Sequence, residues 1–200
     1  CGYYMLKGKP SEEEITLALS HVNYKDILIQ NQQVTLKDPE MILDLGFIAK
    51  GYIADLMKEY LVSEGVQSAI INLGGNVLTI GAKPDGSSFQ VGIQKPFAES
   101  GTALFSLPVS DCSLVSSGNY ERCFTKDDIL YHHILSTKNG YPAGSGLSQV
   151  TILSESSVDG DALSTLCFLL GYEKGKELID SLENTEAVFV TTEGEILKTF

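Results

Sequence analysis

The chain has 200 residues, and its 14 Lys and Arg against 26 Asp and Glu give a formal net charge of −12. Such a balance repels phosphate backbones and anionic lipid, so generic nucleic-acid binding is excluded as a leading role, while the length allows one sizeable core. Hydrophobic residues at 43% and charged residues at 20% exclude a disordered or collagen-like chain. The longest apolar run, Leu166 to Leu170, falls far short of the roughly 20 residues that a bilayer crossing needs, so no transmembrane segment is expected. The start Cys1-Gly2-Tyr3-Tyr4 reads as that of a processed or partial chain. Cysteines at 1, 112, 123 and 167 form no C-x-x-C pair and are expected as isolated thiols.

In chain order, Ser11-Glu12-Glu13-Glu14 ahead of Ile15, Leu17 and Leu19 is a capping box that starts a short helix. Asp26–Gln30 and Gln33–Leu36 predict a hairpin, and Met41–Asp44 a strand. From Gly46 to Gly65, Ile48, Tyr52, Leu56 and Tyr60 recur every four residues and predict a helix with that apolar face turned inward. Strands are expected at Ser68–Leu73 and Val77–Ala82 around Gly74-Gly75, with Phe89–Ile93 pairing back after the Lys83-Pro84-Asp85-Gly86 turn. Further strands are read at Ala103–Leu107, Ser113–Ser116, Tyr131–Leu135 and Ser148–Leu153. Helices follow from about Gly160 to Leu170 and from Glu173 to Ser181, and a closing hairpin joins Ala187–Thr191 to Ile196–Thr199. Meandering strands with segregated helices give an α+β class, one antiparallel sheet domain with packed helices across residues 1–200.

Four stretches carry candidate chemistry. Asp44-Leu45-Gly46-Phe47-Ile48-Ala49-Lys50-Gly51-Tyr52 runs into a helix start, where free N–H groups and the Lys50 cation favour a phosphate; otherwise Asp44 is a cap and Lys50 a solvated side chain. Asn72-Leu73-Gly74-Gly75-Asn76 suits a tight hairpin or a backbone wall against a ligand. Asp161 and Thr165, four apart, share one helix face and offer oxygen to a hard cation such as Mg²⁺; alternatively Asp161 caps the helix and Thr165 bonds back to it. His132 and His133 point to opposite faces of a strand and so cannot chelate as a pair, although one suits a general base near neutral pH. Fingerprints of Rossmann, P-loop, zinc-hydrolase and serine-hydrolase sites are missing.

Taken in order, Asp44-Leu45-Gly46-x-Ile48-Ala49-Lys50-Gly51-Tyr52, Asn72–Asn76, Val91-Gly92-Ile93-Gln94-Lys95-Pro96, Ser116-Ser117-Gly118-Asn119-Tyr120-Glu121-Arg122, His133-Ile134-Leu135 and Asp161-Ala162-Leu163-Ser164-Thr165 resemble the ApbE family of FAD:protein FMN transferases. The resemblance covers most of the chain from about Lys9 and implies a tunnelling-fold-like architecture, here without the family's N-terminal segment. It implies a Mg²⁺-dependent enzyme that cleaves FAD as substrate, attaches FMN to a threonine of an acceptor flavoprotein and releases AMP. By matching positions, the metal ligands fall on Asp161, Thr165, Ser164 and the backbone carbonyl at Phe47. The flavin-nucleotide contacts fall on Asp44, Lys50 and Leu135, and the general base on His133. Ser136-Thr137 and Asn139-Gly140 stand where the family usually reads Asp-Pro and Thr-Gly. Two alternatives stay open, an FAD pyrophosphatase giving FMN and AMP, and a degenerate FAD-binding protein without turnover. An extracytoplasmic or membrane-anchored location is a further implication of the resemblance.

Overall fold

A computed structural model describes residues 8–200. In chain order the elements are α1 (Glu12–Ser20), a 3₁₀ turn (Tyr24–Asp26), β1 (Ile27–Gln30), β2 (Gln33–Leu36), α2 (Ala49–Ser63), β3 (Ala69–Asn72), β4 (Asn76–Ile80), β5 (Phe89–Gln94) and β6 (Ala103–Val109). They continue with β7 (Ser113–Gly118), β8 (Cys123–Lys126), β9 (Ile129–His132), β10 (Leu147–Ser154), α3 (Ser157–Leu170), α4 (Tyr172–Asp180), β11 (Thr185–Thr191) and β12 (Ile196–Lys198). The class is α+β, with antiparallel pairing throughout the named strands. No helix among the described residues is long and apolar enough to cross a membrane. Cys112 and Cys167 are free thiols, and Cys1 lies outside the described residues.

The chain divides into two compact units. The first combines the described residues through Asp44 with Arg122–Ala143. Its α1 begins on the expected capping box, in which Ser11 and Glu14 satisfy each other's backbone N–H. Ile15 of α1 packs with Tyr131, Leu19, Phe124, Leu135 and Tyr141, and the rings of Phe124 and Tyr131 stack at 5.1 Å. Two hairpins complete the unit. β1–β2 turns on Asn31 and Gln32 and β8–β9 on Asp127 and Asp128, all four at positive φ, the geometry that matches the twist of a two-residue hairpin. Strand β8 was not expected from the sequence, whereas the strand expected at Met41–Asp44 is irregular chain.

The second unit, Leu45–Glu121 with Gly144–Phe200, holds a six-stranded sheet in the order β12-β11-β10-β7-β4-β3. On one face Val77, Leu114 and Val188 meet Val91, Ile93, Leu107 and Val109 of the β5–β6 hairpin. Phe89–Ile93 therefore pairs with β6 alone and not back onto β4, because its alternate apolar residues are needed to cover the sheet. On the other face α2 lays Ala54 on Ile71, Leu78 and Ile80. Helix α3 sits beside it close to β7 and β10. At Gly160 a Cβ would stand 2.9 Å from Ser154 Oγ and 3.1 Å from Val115 Cγ2, so only glycine permits that approach.

The expected inward face of α2 is corrected by the structure. Tyr52, Leu56 and Tyr60 are 56%, 46% and 64% exposed, and the residues α2 buries are Gly51 and Ala54. The helix packs on its small residues because it must approach α3 too closely for large ones. A Cβ on Gly51 would lie 2.2 Å from the carbonyl oxygen of Ser157.

Candidate active site

Within the second unit, the starts of α2 and α3 meet side by side. Helix α2 has Ile48 as its N-cap and no side-chain cap bond, so Asp44 does not cap it. Gly51 N–H donates to Asp161 Oδ2 at 2.8 Å, across 110 residues of chain and away from solvent. In a regular ladder that N–H would serve the carbonyl four residues back, Phe47, and no such backbone bond forms. The Phe47 carbonyl is thereby released at the helix entrance. Beside it, Lys50 Nζ donates to the carbonyl of Gly74 at 3.3 Å, tying α2 to the turn between β3 and β4.

That turn uses its glycines for geometry. Gly74 and Gly75 both have positive φ, and Leu73 N–H donates to the Asn76 carbonyl at 2.8 Å. The flanking asparagines stabilise the fold: Asn72 Oδ1 accepts from Gly75 N–H, and Asn76, fully buried, accepts from Ser157 Oγ at 2.9 Å.

Helix α3 starts three residues earlier than the sequence indicates, which moves Asp161 inside the helix. Its cap is Ser156, whose side chain accepts from Asp159 N–H. Asp55 of α2 adds a second cap, accepting from Ser157 N–H at 2.8 Å and Val158 N–H at 2.9 Å. Asp161 is 5% exposed, and burial raises its pKa, opposed by the Gly51 N–H and the nearby Lys50 charge. The carboxylate is only partly compensated by protein, which is a state that a cation relieves.

Thr165 does not bond back to its own helix. That bond belongs to Ser164, whose Oγ donates to the Asp161 carbonyl at 2.9 Å. The Thr165 hydroxyl lies 3.1 Å from Ser117 Oγ on β7, and Ser117 Oγ lies 2.8 Å from Ser164 Oγ. No cluster of three or more His, Cys, Asp or Glu side chains exists among the described residues, so a cation here would rely on one carboxylate with hydroxyl and carbonyl oxygens. That donor set, hard and oxygen-only, fits Mg²⁺ rather than zinc.

The remaining sequence-predicted residues belong to the first unit. His133 lies one residue beyond β9. Burial pushes its pKa down to about 4, helped by the Arg122 charge and neighbouring His132 and opposed by a hydrogen bond to the Arg122 backbone. Its ring is therefore neutral at pH 7, and Nδ1, buried, has no partner among the described residues. Leu135 bridges to Pro142, and the loop between them closes through Ser136 N–H to the Tyr141 carbonyl and Gly140 N–H to the Ser136 carbonyl, both at 2.8 Å. A tight turn is thus built without the proline the resemblance leads one to expect. Asp44 ends the unit's first segment and is exposed. His21, at the end of α1, is half-buried and holds Asp38 at 2.7 Å.

Gly51, Asp55 and Ser117 were not singled out from sequence. Gly51 and Asp55 lie four apart on one helix face, which is the signal that would have found them as a pair.

The paired helix starts of this antiparallel α+β unit carry one buried carboxylate, two hydroxyls and a released carbonyl, oxygens of the kind that hard cations take. Comparison makes the class specific. The ApbE family profile matches residues 3–189, and the chain belongs to the ApbE family. It is 40% identical over 190 residues to the FAD:protein FMN transferase of Klebsiella pneumoniae strain 342, covering 94% of this chain and 58% of that protein. It is 34% identical over 196 residues to the FAD:protein FMN transferase of Treponema pallidum, covering 90% of this chain and 54% of that one. The ApbE protein of Thermotoga maritima superposes with a TM-score of 0.85 at 30% identity, over 96% of this chain and 62% of that one. The apo flavinyl transferase ApbE of Pseudomonas stutzeri gives 0.78 at 30% identity, over 96% and 59%. The chain spans somewhat more than half the length of these relatives.

Proposed function

We propose that the protein is an FAD:protein FMN transferase, cleaving FAD with Mg²⁺, joining FMN to a threonine of an acceptor flavoprotein and releasing AMP. The observation that carries the proposal is the bond from Gly51 N–H to Asp161, which holds a half-compensated carboxylate beside Thr165 and frees the Phe47 carbonyl. Membership of the ApbE family and the activity named for its relatives support it.

In this reading Asp161, Thr165, Ser164 and the Phe47 carbonyl serve the metal. A bound Mg²⁺ supplies charge neutralisation at the FAD diphosphate. Lys50 adds a second positive charge for the nucleotide, which a chain of net charge −12 needs to hold an anionic substrate. Asp44 and Leu135 contribute flavin-nucleotide contacts. His133, neutral above pH 4, takes the proton from the attacking threonine hydroxyl, so that the new P–O bond forms as the bond to AMP breaks. A location outside the cytoplasm or anchored to a membrane belongs to the same proposal and is tested by fractionating cells.

Incubation of the protein with FAD, Mg²⁺ and an acceptor bearing the target threonine tests the reaction. A fluorescent flavinylated acceptor band, lost when the threonine becomes alanine, is the expected result. No band at any Mg²⁺ concentration overturns it, and AMP release without acceptor identifies a hydrolase instead.

A further inference from the structure

The hydroxyl cluster behind Thr165 has directions that can be assigned by counting protons. A carbonyl oxygen only accepts, so in the 2.9 Å contact with the Asp161 carbonyl Ser164 Oγ is the donor. A serine hydroxyl carries one proton. With that proton committed, Ser164 is the acceptor in its 2.8 Å contact, and Ser117 Oγ donates to it. The single proton of Ser117 is then used, so at 3.1 Å Thr165 Oγ1 donates to Ser117. The order is Thr165 to Ser117 to Ser164 to the carbonyl of Asp161, which closes the relay on the helix turn that carries the carboxylate.

We infer that Ser117 is a positioning residue for the cation site. By accepting the Thr165 proton it fixes that hydroxyl as an oxygen donor whose lone pairs are available to a hard cation, and each link polarises the next. Without an acceptor there, the hydroxyl is free to rotate and to aim its proton at the site, where it repels a cation. Ser164, fully buried, is the anchor that makes Ser117 point the right way. The inference rests on the reading of Asp161 and Thr165 as cation ligands and adds a residue on β7, an element that contributes no ligand in that reading.

The test is Mn²⁺ binding to the protein without FAD or acceptor, followed by electron paramagnetic resonance, with the thermal midpoint in metal-free buffer as a check on folding. Ser117→Ala is expected to weaken Mn²⁺ binding by about 10- to 100-fold, the usual effect of losing a partner behind a ligand. Ser117→Thr, which keeps the hydroxyl, is expected to restore it. In a Thr165→Val background Ser117→Ala is expected to cost nothing further, because it acts only through Thr165. Unchanged Mn²⁺ affinity in Ser117→Ala, or an equal further loss in the Thr165→Val background, overturns the positioning role. Failure of the ligand reading itself is seen separately, as Mn²⁺ titrations that are the same for the wild-type protein and Asp161→Ala.

Discussion

Two helices start within hydrogen-bond reach of each other and solve the same problem in opposite ways. Helix α3 divides its first N–H groups between two caps, Asp159 N–H donating to its own Ser156 and Ser157 and Val158 N–H to Asp55 from α2. Helix α2 has no side-chain cap, and its Gly51 N–H goes to a carboxylate on its neighbour. A capped end contributes stability, because its first N–H groups have partners. An uncapped one keeps polar backbone atoms available, and here it holds Asp161 and leaves the Phe47 carbonyl free. The contrast leaves α3 held at its start by side chains and α2 held at its start by the one carboxylate that α3 presents to it.

Removing the shared carboxylate breaks the contrast most severely. Asp161→Ala is expected to abolish flavinylation and the Mg²⁺-induced rise in thermal midpoint, exceeding the roughly 10- to 100-fold loss typical of an outer-shell partner. Asp161→Asn sharpens the point. Because the folded carboxyl has its pKa raised above 3.8, ionisation disfavours the native state, so metal-free wild-type stability falls as pH rises past that value. The Asn variant lacks this fall and melts higher at pH 7 without metal, while losing the response to Mg²⁺.

Gly51→Ala drives a methyl into the Ser157 carbonyl and forces the helices apart, at about 1–3 kcal/mol for overpacking. For a chain of this size that is about 2–4 °C in thermal midpoint per kcal/mol, read by calorimetry. Asp55→Ala removes one of the two caps on α3 and costs about 0.5–2 kcal/mol in chemical denaturation, with flavinylation reduced less than in Asp161→Ala.

The last effect shows only in acid. His133 titrates near 6.5 when unfolded and near 4 when folded, so it contributes a loss of stability as pH falls between those values and none above them. Comparing urea midpoints of wild type and His133→Gln from pH 7 to pH 4 isolates that loss. The acid limb of kcat/KM for flavin transfer is expected near 4 rather than 6.5.

Much of this was legible from residue order. The capping box before α1, the Asn31-Gln32 turn and the spacing of Asp161 and Thr165 are local facts, decided within a few residues. The direction of α2 was not. A four-residue recurrence shows that Tyr52, Leu56 and Tyr60 share a face, but not that a neighbouring helix requires glycine and alanine on the other one. The partners of Phe89–Ile93 and of Gly51 lie equally outside local reading, since both are chosen by contacts between distant segments. The Asp44 to Tyr52 stretch therefore marked a helix start without revealing which carboxylate its N–H would meet.

The Gly51 to Asp161 bond also sets a sequence of events during folding. Its ends are 110 residues apart, so the entropy of closing that loop is met late, after hairpins such as β1–β2 and β5–β6 have formed from neighbouring residues. In refolding from urea, the contact between the starts of α2 and α3 should return with the slowest phase, behind most of the circular dichroism signal.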